Sequence, residues 1–278
     1  MAVMRIVSLL PGATEALWAL GLGGRLVAVS HECDHPAEVL RLPRVTRSRL
    51  ELEGLDGGAI EARVRESVAA GEQLYAVDAV RIRELRPDLV VVQDVCEVCA
   101  VPGGQVEREL GGVRVLRQHP HSLEDVLDGI AELGWACGVD PDPVLAELRR
   151  RIAAAAAAAP RPPVRGVFLE WLDPPYPAGH WTPDLLRLAG VEDPLARPGR
   201  PSAPVGWDDV AAARPEVLIV APCGFTEDRA RAEAGRLREE MARTGARRVL
   251  VFDGSAHFNR PGPRLVDSLE ALVAGLAE

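Results

Sequence analysis

Aromatic side chains make up only 4% of this 278-residue chain, so any place where several of them gather stands out. Positive charge is also short: 32 Lys and Arg face 41 Asp and Glu, for a formal charge of −9 at pH 7. That balance argues against nucleic acid as a partner, because binding phosphates takes clustered Lys and Arg. No stretch approaches the roughly 20 consecutive apolar residues of a membrane span, so no membrane insertion is expected. Nucleophile elbow, P-loop and dinucleotide fingerprint are all missing; Gly21-Leu22-Gly23-Gly24 ends a helix instead of opening one after a strand. A catalytic role therefore has no positive support, and no catalytic residue is assigned. Met1–Leu10 lacks the apolar core and small-residue cleavage site of a secretory signal. It reads as the lead into a first strand at Arg5–Leu10, and a cytoplasmic protein is expected. A periplasmic or cell-surface protein is the alternative if a signal has been trimmed.

What the chain does have is alternation and internal echo. Its 47% hydrophobic and 26% charged composition is that of an ordinary globule long enough for two modest α/β domains. Ile82–Cys96 (IRELRPDLVVVQDVC) and Val210–Cys223 (VAAARPEVLIVAPC) read like copies of each other. Each runs from a short helix through Arg-Pro-acidic into an aliphatic strand and on to a cysteine. Thr14–Gly21 (TEALWALG) and Thr182–Gly190 (TPDLLRLAG) form a second echo.

Periodicity and caps predict strands at Arg5–Leu10, Leu26–Ser30, Leu89–Gln93 and Val113–Arg117, with helices at Thr14–Leu22, Gly58–Ala70, after Asp78 and after Ser122. Arg41–Leu55 reads as a loop. The later half repeats the alternation, with strands at Val164–Glu170, Val217–Ala221 and Arg248–Phe252 and helices at Pro183–Ala189, Trp207–Ala213, Glu227–Arg243 and Pro263–Ala277. Between the halves, Pro143–Ala159 carries a seven-alanine run closed by Pro160, and alanine is the strongest helix former. The expected fold is α/β: two Rossmann-like parallel-sheet lobes joined by a long rigid helix, with a ligand cleft between them. The expected limits are an N-terminal lobe over 1–139, a connecting helix over 140–160 and a C-terminal lobe over 161–278.

Ligands of such folds collect on loops at the carboxyl ends of strands. Those loops hold His31, Glu32 and Cys33; Asp94, Cys96, Glu97 and Cys99; Glu170, Trp171, Tyr176, His180 and Trp181; Cys223 and Phe225; and Phe258 with Arg260. So many aromatics from an aromatic-poor chain suggest apolar walls for a large flat ligand, although loop aromatics also pack as lids over sheet ends. Among the polar groups, His31, Cys33, Asp94, Glu97, His180 and Arg260 are the candidate contacts, one of them an axial ligand to a metal. The acid on these loops would suit a cationic or metal-bearing molecule.

The five cysteines are an odd set, and Cys96-x-x-Cys99 suits zinc, an iron–sulfur cluster or a redox pair. Cys33 and Cys223 would complete a four-thiolate site if the lobes close. The competing reading is that cysteine packs as a small buried hydrophobe.

Five segments, SLLPGATEALWALGLG, SHECDHP, RPDLVVVQDVCEVCAV, LEWLDPPYPAGHW and FNRPGPRLVD, together resemble the cobalamin-binding branch of the class III periplasmic binding proteins. These belong to the helical backbone metal receptor group, and the resemblance runs over essentially the whole chain. It implies two Rossmann-like lobes on one long helix, a corrinoid such as cobalamin or another metal chelate as ligand, and an ABC permease as partner. The cysteines and the missing export signal depart from that pattern. The alternative expectation is a cytoplasmic metalloprotein with a cysteine-held zinc or iron–sulfur site, an enzyme of unknown reaction.

Overall fold

The computed structural model describes residues 3–94 and 103–278. They divide into two compact units. The first comprises Met1–Glu53, Ala62–Pro120 and Asp125–Leu145; the second comprises Gly54–Glu61, His121–Glu124 and Ala146–Glu278.

In chain order the first half contains β1 (Ile6–Ser8), α1 (Pro11–Ala19), β2 (Leu26–Val29), β3 (Thr46–Ser48), α2 (Gly57–Ala69) and β4 (Tyr75–Val77). It continues with α3 (Ala79–Leu85), β5 (Leu89–Gln93), α4 (Gly103–Leu110), β6 (Arg114–Gln118) and α5 (Leu123–Ala136). After α6 (Asp142–Ala158) come β7 (Val164–Leu172), β8 (Pro175–Pro177), β9 (Gly179–His180), α7 (Thr182–Leu188), β10 (Val191–Glu192) and β11 (Arg197–Pro198). The chain closes with α8 (Trp207–Ala212), β12 (Val217–Val220), α9 (Glu227–Arg236), α10 (Arg238–Arg243), β13 (Arg248–Val251) and α11 (Leu265–Ala277).

Each unit is built on a parallel sheet of the same topology. The first sheet runs β2-β1-β5-β6 and the second β10-β7-β12-β13. Counting only the parallel strands of each sheet in chain order, each order is second, first, third, fourth. The duplicated Arg-Pro segments supply the third strand of each. Both pair with the first strand: Ile6 lies opposite Leu89, and Gly166 opposite Val217. The echo extends to the backbone. Arg86 and Arg214, just before those prolines, both take left-handed conformations, with φ of 44° and 49°. The helices of the second echo both run into a left-handed glycine, Gly21 at φ 74° and Gly190 at φ 73°. Glycine adopts that turn without a steric cost, which makes it the usual residue just past a helix end.

The central strands are buried along their whole length, as parallel strands covered on both faces must be. Around them pack Val7, Ala28, Ile82 and Val106 in one unit, and Val167, Val210, Leu237 and Met241 in the other. Each fully buried Val, Leu, Ile or Met among them contributes roughly 1.5–3 kcal/mol.

Several boundaries differ from expectation. The first helix starts three residues early, with Pro11 in its first turn, where a missing N–H costs nothing. It ends at Ala19, two residues before Gly21, and Gly23–Arg25 forms a separate 3-10 turn. Arg41–Leu55 is not all loop, because Thr46–Ser48 pairs antiparallel with Tyr75–Val77. The strand at Val164 runs on through Trp171 and folds back antiparallel on itself through Pro175–Pro177. The charged helix is two: the chain bends at Leu237, at φ −103° and ψ 21°, so that Ala234, Leu237 and Met241 all reach the same core. The alanine-rich helix forms as expected over Asp142–Ala158, and its Arg151 pairs with Asp267 and Glu270 of α11. Among the described residues no helix is long and apolar enough to cross a membrane.

Candidate functional site

In the first unit the loops beyond the carboxyl ends of β2 and β5 carry the predicted groups. The backbone N–H of His31 donates to Thr46 Oγ1 at 3.0 Å, and its Nδ1 lies 2.7 Å from the same oxygen. Thr46 belongs to β3, so the unforeseen ribbon of β3 and β4 is what fixes this imidazole. Tyr75 of β4 sets its ring 5.7 Å from that of His31. His31 Nε2 is 3.2 Å from Glu32 Oε1, though out of line for a hydrogen bond. Cys33 is 1% exposed, with its sulfur 3.1 Å from Thr14 Oγ1 and its carbonyl accepting from Arg44. That is the environment of a packed thiol. Asp94 pairs with Arg117, which also holds Glu107; these two carboxylates keep the guanidinium above its ordinary pKa. A cavity of about 450 Å³ beside them is lined by Tyr75, Asp94, Gln105, Arg108 and Arg117.

In the second unit the β7–β8 return presents Trp171 and Tyr176, both half-buried. Trp171 packs edge-on to Phe225, with ring centroids 5.0 Å apart. Its indole N–H donates to the carbonyls of Gly57 and Asp173, both at 3.2 Å. Tyr176 donates its hydroxyl to Glu61 Oε1 at 2.8 Å. Gly57 and Glu61 belong to the start of α2. That turn is further held by Glu233, whose Oε1 accepts from Gly57 N at 3.1 Å, and by Arg229, which donates to Leu55 O at 3.1 Å. Arg229 also stands 3.8 Å above the Phe225 ring.

Three of the predicted aromatics are core groups. Phe258 is wholly buried against Phe168 and Phe252, and Phe225 is 3% exposed. Trp181, 6% exposed, donates its indole N–H to Phe258 O at 2.6 Å. They pack as lids over sheet ends, which leaves Trp171 and Tyr176 as the accessible rings among those five. Glu170 Oε2 accepts from Gly179 N at 3.3 Å, and Arg260 is largely buried on the loop after β13. Cys223 is exposed.

His180 is the most unusual of the predicted residues. Its backbone is left-handed at φ 50°, a region that asparagine, aspartate and histidine enter more often than other non-glycine residues. The ring stacks between His121, 6.1 Å away, and Trp181, 5.5 Å away. Its Nε2 is enclosed and has no hydrogen-bond partner among the described residues. Burial, and secondarily the neighbouring His121, lower its pKa, so at neutral pH the ring is an uncharged imidazole.

Cys96, Glu97 and Cys99 lie outside the described residues. Among the described residues no group of three or more His, Cys, Asp or Glu comes together as a metal site. Sequence reasoning missed Gly57, Glu61, Thr46 and Tyr75. The Gly57-Gly58 pair opening a helix was the one visible hint of a close approach there.

No family model matches the chain. A vitamin B12-binding protein of Vibrio cholerae serotype O1 is 28% identical over 98% of this chain and 88% of its own length. The solved periplasmic vitamin B12 binding protein of Vibrio cholerae superposes with a TM-score of 0.70 at 23% identity, covering 98% of this chain and 96% of that one. The chain has the fold of that periplasmic binding protein. A periplasmic heme binding protein from Pseudomonas aeruginosa matches with a TM-score of 0.71 at 25% identity, covering 98% of this chain and 92% of that one.

Its sequence relatives carry the vitamin B12-binding name, in agreement with the branch that the motif resemblance implied. Two expectations lack support. A cysteine-held zinc or iron–sulfur site finds no support, because Cys33 is packed against Thr14 and the relatives are named for B12 or heme. A cytoplasmic location finds none either, since the matching solved proteins are periplasmic. The absence of an export pattern in the first residues was too weak a basis for it.

Proposed function

We propose that this protein binds a corrinoid, or a closely related metal tetrapyrrole, and hands it to an ABC permease outside the cytoplasm. The observation that carries the reading is the vitamin B12-binding relative aligned over 98% of the chain. The local chemistry supports it. Trp171 and Tyr176 offer ring surface and a hydroxyl on a hydrogen-bonded return, which suits the flat rim of a macrocycle. His180 keeps an uncharged imidazole whose enclosed Nε2 has no partner among the described residues, so it could serve a ligand only if the surrounding loop opens. His31, Glu32 and Asp94 add polar groups at the ends of β2 and β5.

Calorimetric titration with aquocobalamin, and in parallel with hemin, tests the proposal. Saturable binding of one aquocobalamin per chain, with hemin weaker, is expected. Tighter binding of hemin would move the protein to the heme binders, and binding of neither would end the reading.

A further inference from the structure

The connection between β3 and β4 is long, running from Arg49 to Leu74, and its tip, Gly54–Glu61, groups with the second unit instead of the first. This tip is a strap tied down by backbone and side-chain bonds alike. Gly57 N donates to Glu233, Gly57 O accepts from Trp171, Leu55 O accepts from Arg229 and Glu61 accepts from Tyr176. The fit is close at both glycines, where a side chain would have to push a carboxylate tip aside. A Cβ on Gly57 would lie 2.6 Å from Glu233 Oε1, and one on Gly58 would lie 2.7 Å from Asp173 Oδ2. Glu233 and Asp173 are in turn bridged by Arg236, at 2.7 Å and 2.9 Å.

We infer that Gly57 and Glu61 are positioning residues for ligand recognition: they fix the orientations of Trp171 and Tyr176, the two accessible rings of the β7–β8 return. The inference rests on the proposed corrinoid reading for its ligand. An indole and a phenol on a surface return would ordinarily sample several rotamers, and freezing a side chain on binding costs about 0.5–1.5 kcal/mol. The strap makes that selection in advance. It also accounts for the grouping of Gly54–Glu61 with residues more than a hundred positions away in sequence.

The test is a cycle of Glu61→Ala, Tyr176→Phe and the double variant, read by aquocobalamin affinity, with Glu61→Gln as rescue. Each single change should weaken binding about five- to tenfold, within the range expected when one side chain must be ordered on binding. The double variant should bind no more weakly than the worse single one, and Glu61→Gln should return to within about threefold of the unaltered protein. Unchanged affinity in Glu61→Ala, or additive losses in the double variant, would overturn the inference. A purely structural role would lower the melting temperature of Glu61→Ala and leave affinity intact, and that outcome overturns it as well.

If the unaltered protein binds no corrinoid, the functional reading fails, and a ligand-free measurement decides the strap's role. Hydrogen exchange at the Trp171 indole N–H, assigned by Trp171→Phe, should accelerate at least about tenfold in Gly57→Ala while the other indoles stay unchanged. Equal rates in the two proteins would overturn the inference without reference to any ligand.

Discussion

Asp193 offers the most quantitative check on how the second sheet is held. Strand β10 is two residues long and pairs Val191 with Val164 and Glu192 with Arg165. Beyond it the side chain of Asp193 takes over the ladder: Oδ2 accepts from Phe168 N at 2.9 Å, and Oδ1 accepts from Leu195 N at 2.9 Å. Burial pushes its pKa up from 3.8 to about 6, against the lowering effect of those backbone donors. The folded state therefore holds this proton more tightly than the unfolded chain does. Stability from this group is highest below the unfolded value, falls as pH rises through the window from about 4 to 6, and stays low above it. Two pKa units correspond to about 3 kcal/mol. Asp193→Asn has no such titration. Relative to the unaltered protein, the variant should gain about 2–3 kcal/mol between pH 4 and pH 7, offset at every pH by about 1–3 kcal/mol because the amide nitrogen cannot accept from the second backbone N–H. Urea unfolding followed by circular dichroism at several pH values measures that difference directly. A gap between the two proteins that stays flat with pH, or that changes with the opposite sign, would refute the reasoning.

Other consequences are simpler to read. Among Cys33, Cys137 and Cys223, a thiol reagent should label only Cys223 in the folded protein, because the other two are buried and burial raises the Cys137 thiol pKa; peptide mapping that finds early modification of Cys33 would contradict its packing against Thr14. Gly254→Ala should lower stability by about 3 kcal/mol or more, since a Cβ there would lie 1.9 Å from the carbonyl oxygen of Pro222, a backbone atom that cannot step aside. A denaturation midpoint unchanged by that substitution would show the loop after β13 to be looser than described.

The duplication was readable because it lies in features that local physics imposes. Arg-Pro before an aliphatic run marks a helix end and a buried parallel strand, and both copies became third strands with the same left-handed arginine. The alanine-rich helix was equally plain, since propensity and a closing proline agree. Strands of two or three residues such as β3, β9 and β10 escaped, because their pairing depends on tertiary partners and not on any period in the sequence. At the site, residue type pointed to the correct loops but not to the burial of each ring. Phe225, Trp181 and Phe258 turned inward, while Trp171 and Tyr176 stayed partly exposed. Glu61 was invisible for a related reason. A solvated helical glutamate and one that anchors a tyrosine 115 positions away look the same in sequence.

Equilibrium dialysis of the purified protein against cyanocobalamin tests the central claim most directly, because it needs no spectral change and no assumption about which residue meets the metal. One corrinoid retained per chain, at low micromolar concentration or below and reduced on replacing Trp171 with alanine, is the predicted result. No retention up to high micromolar concentration would contradict the account.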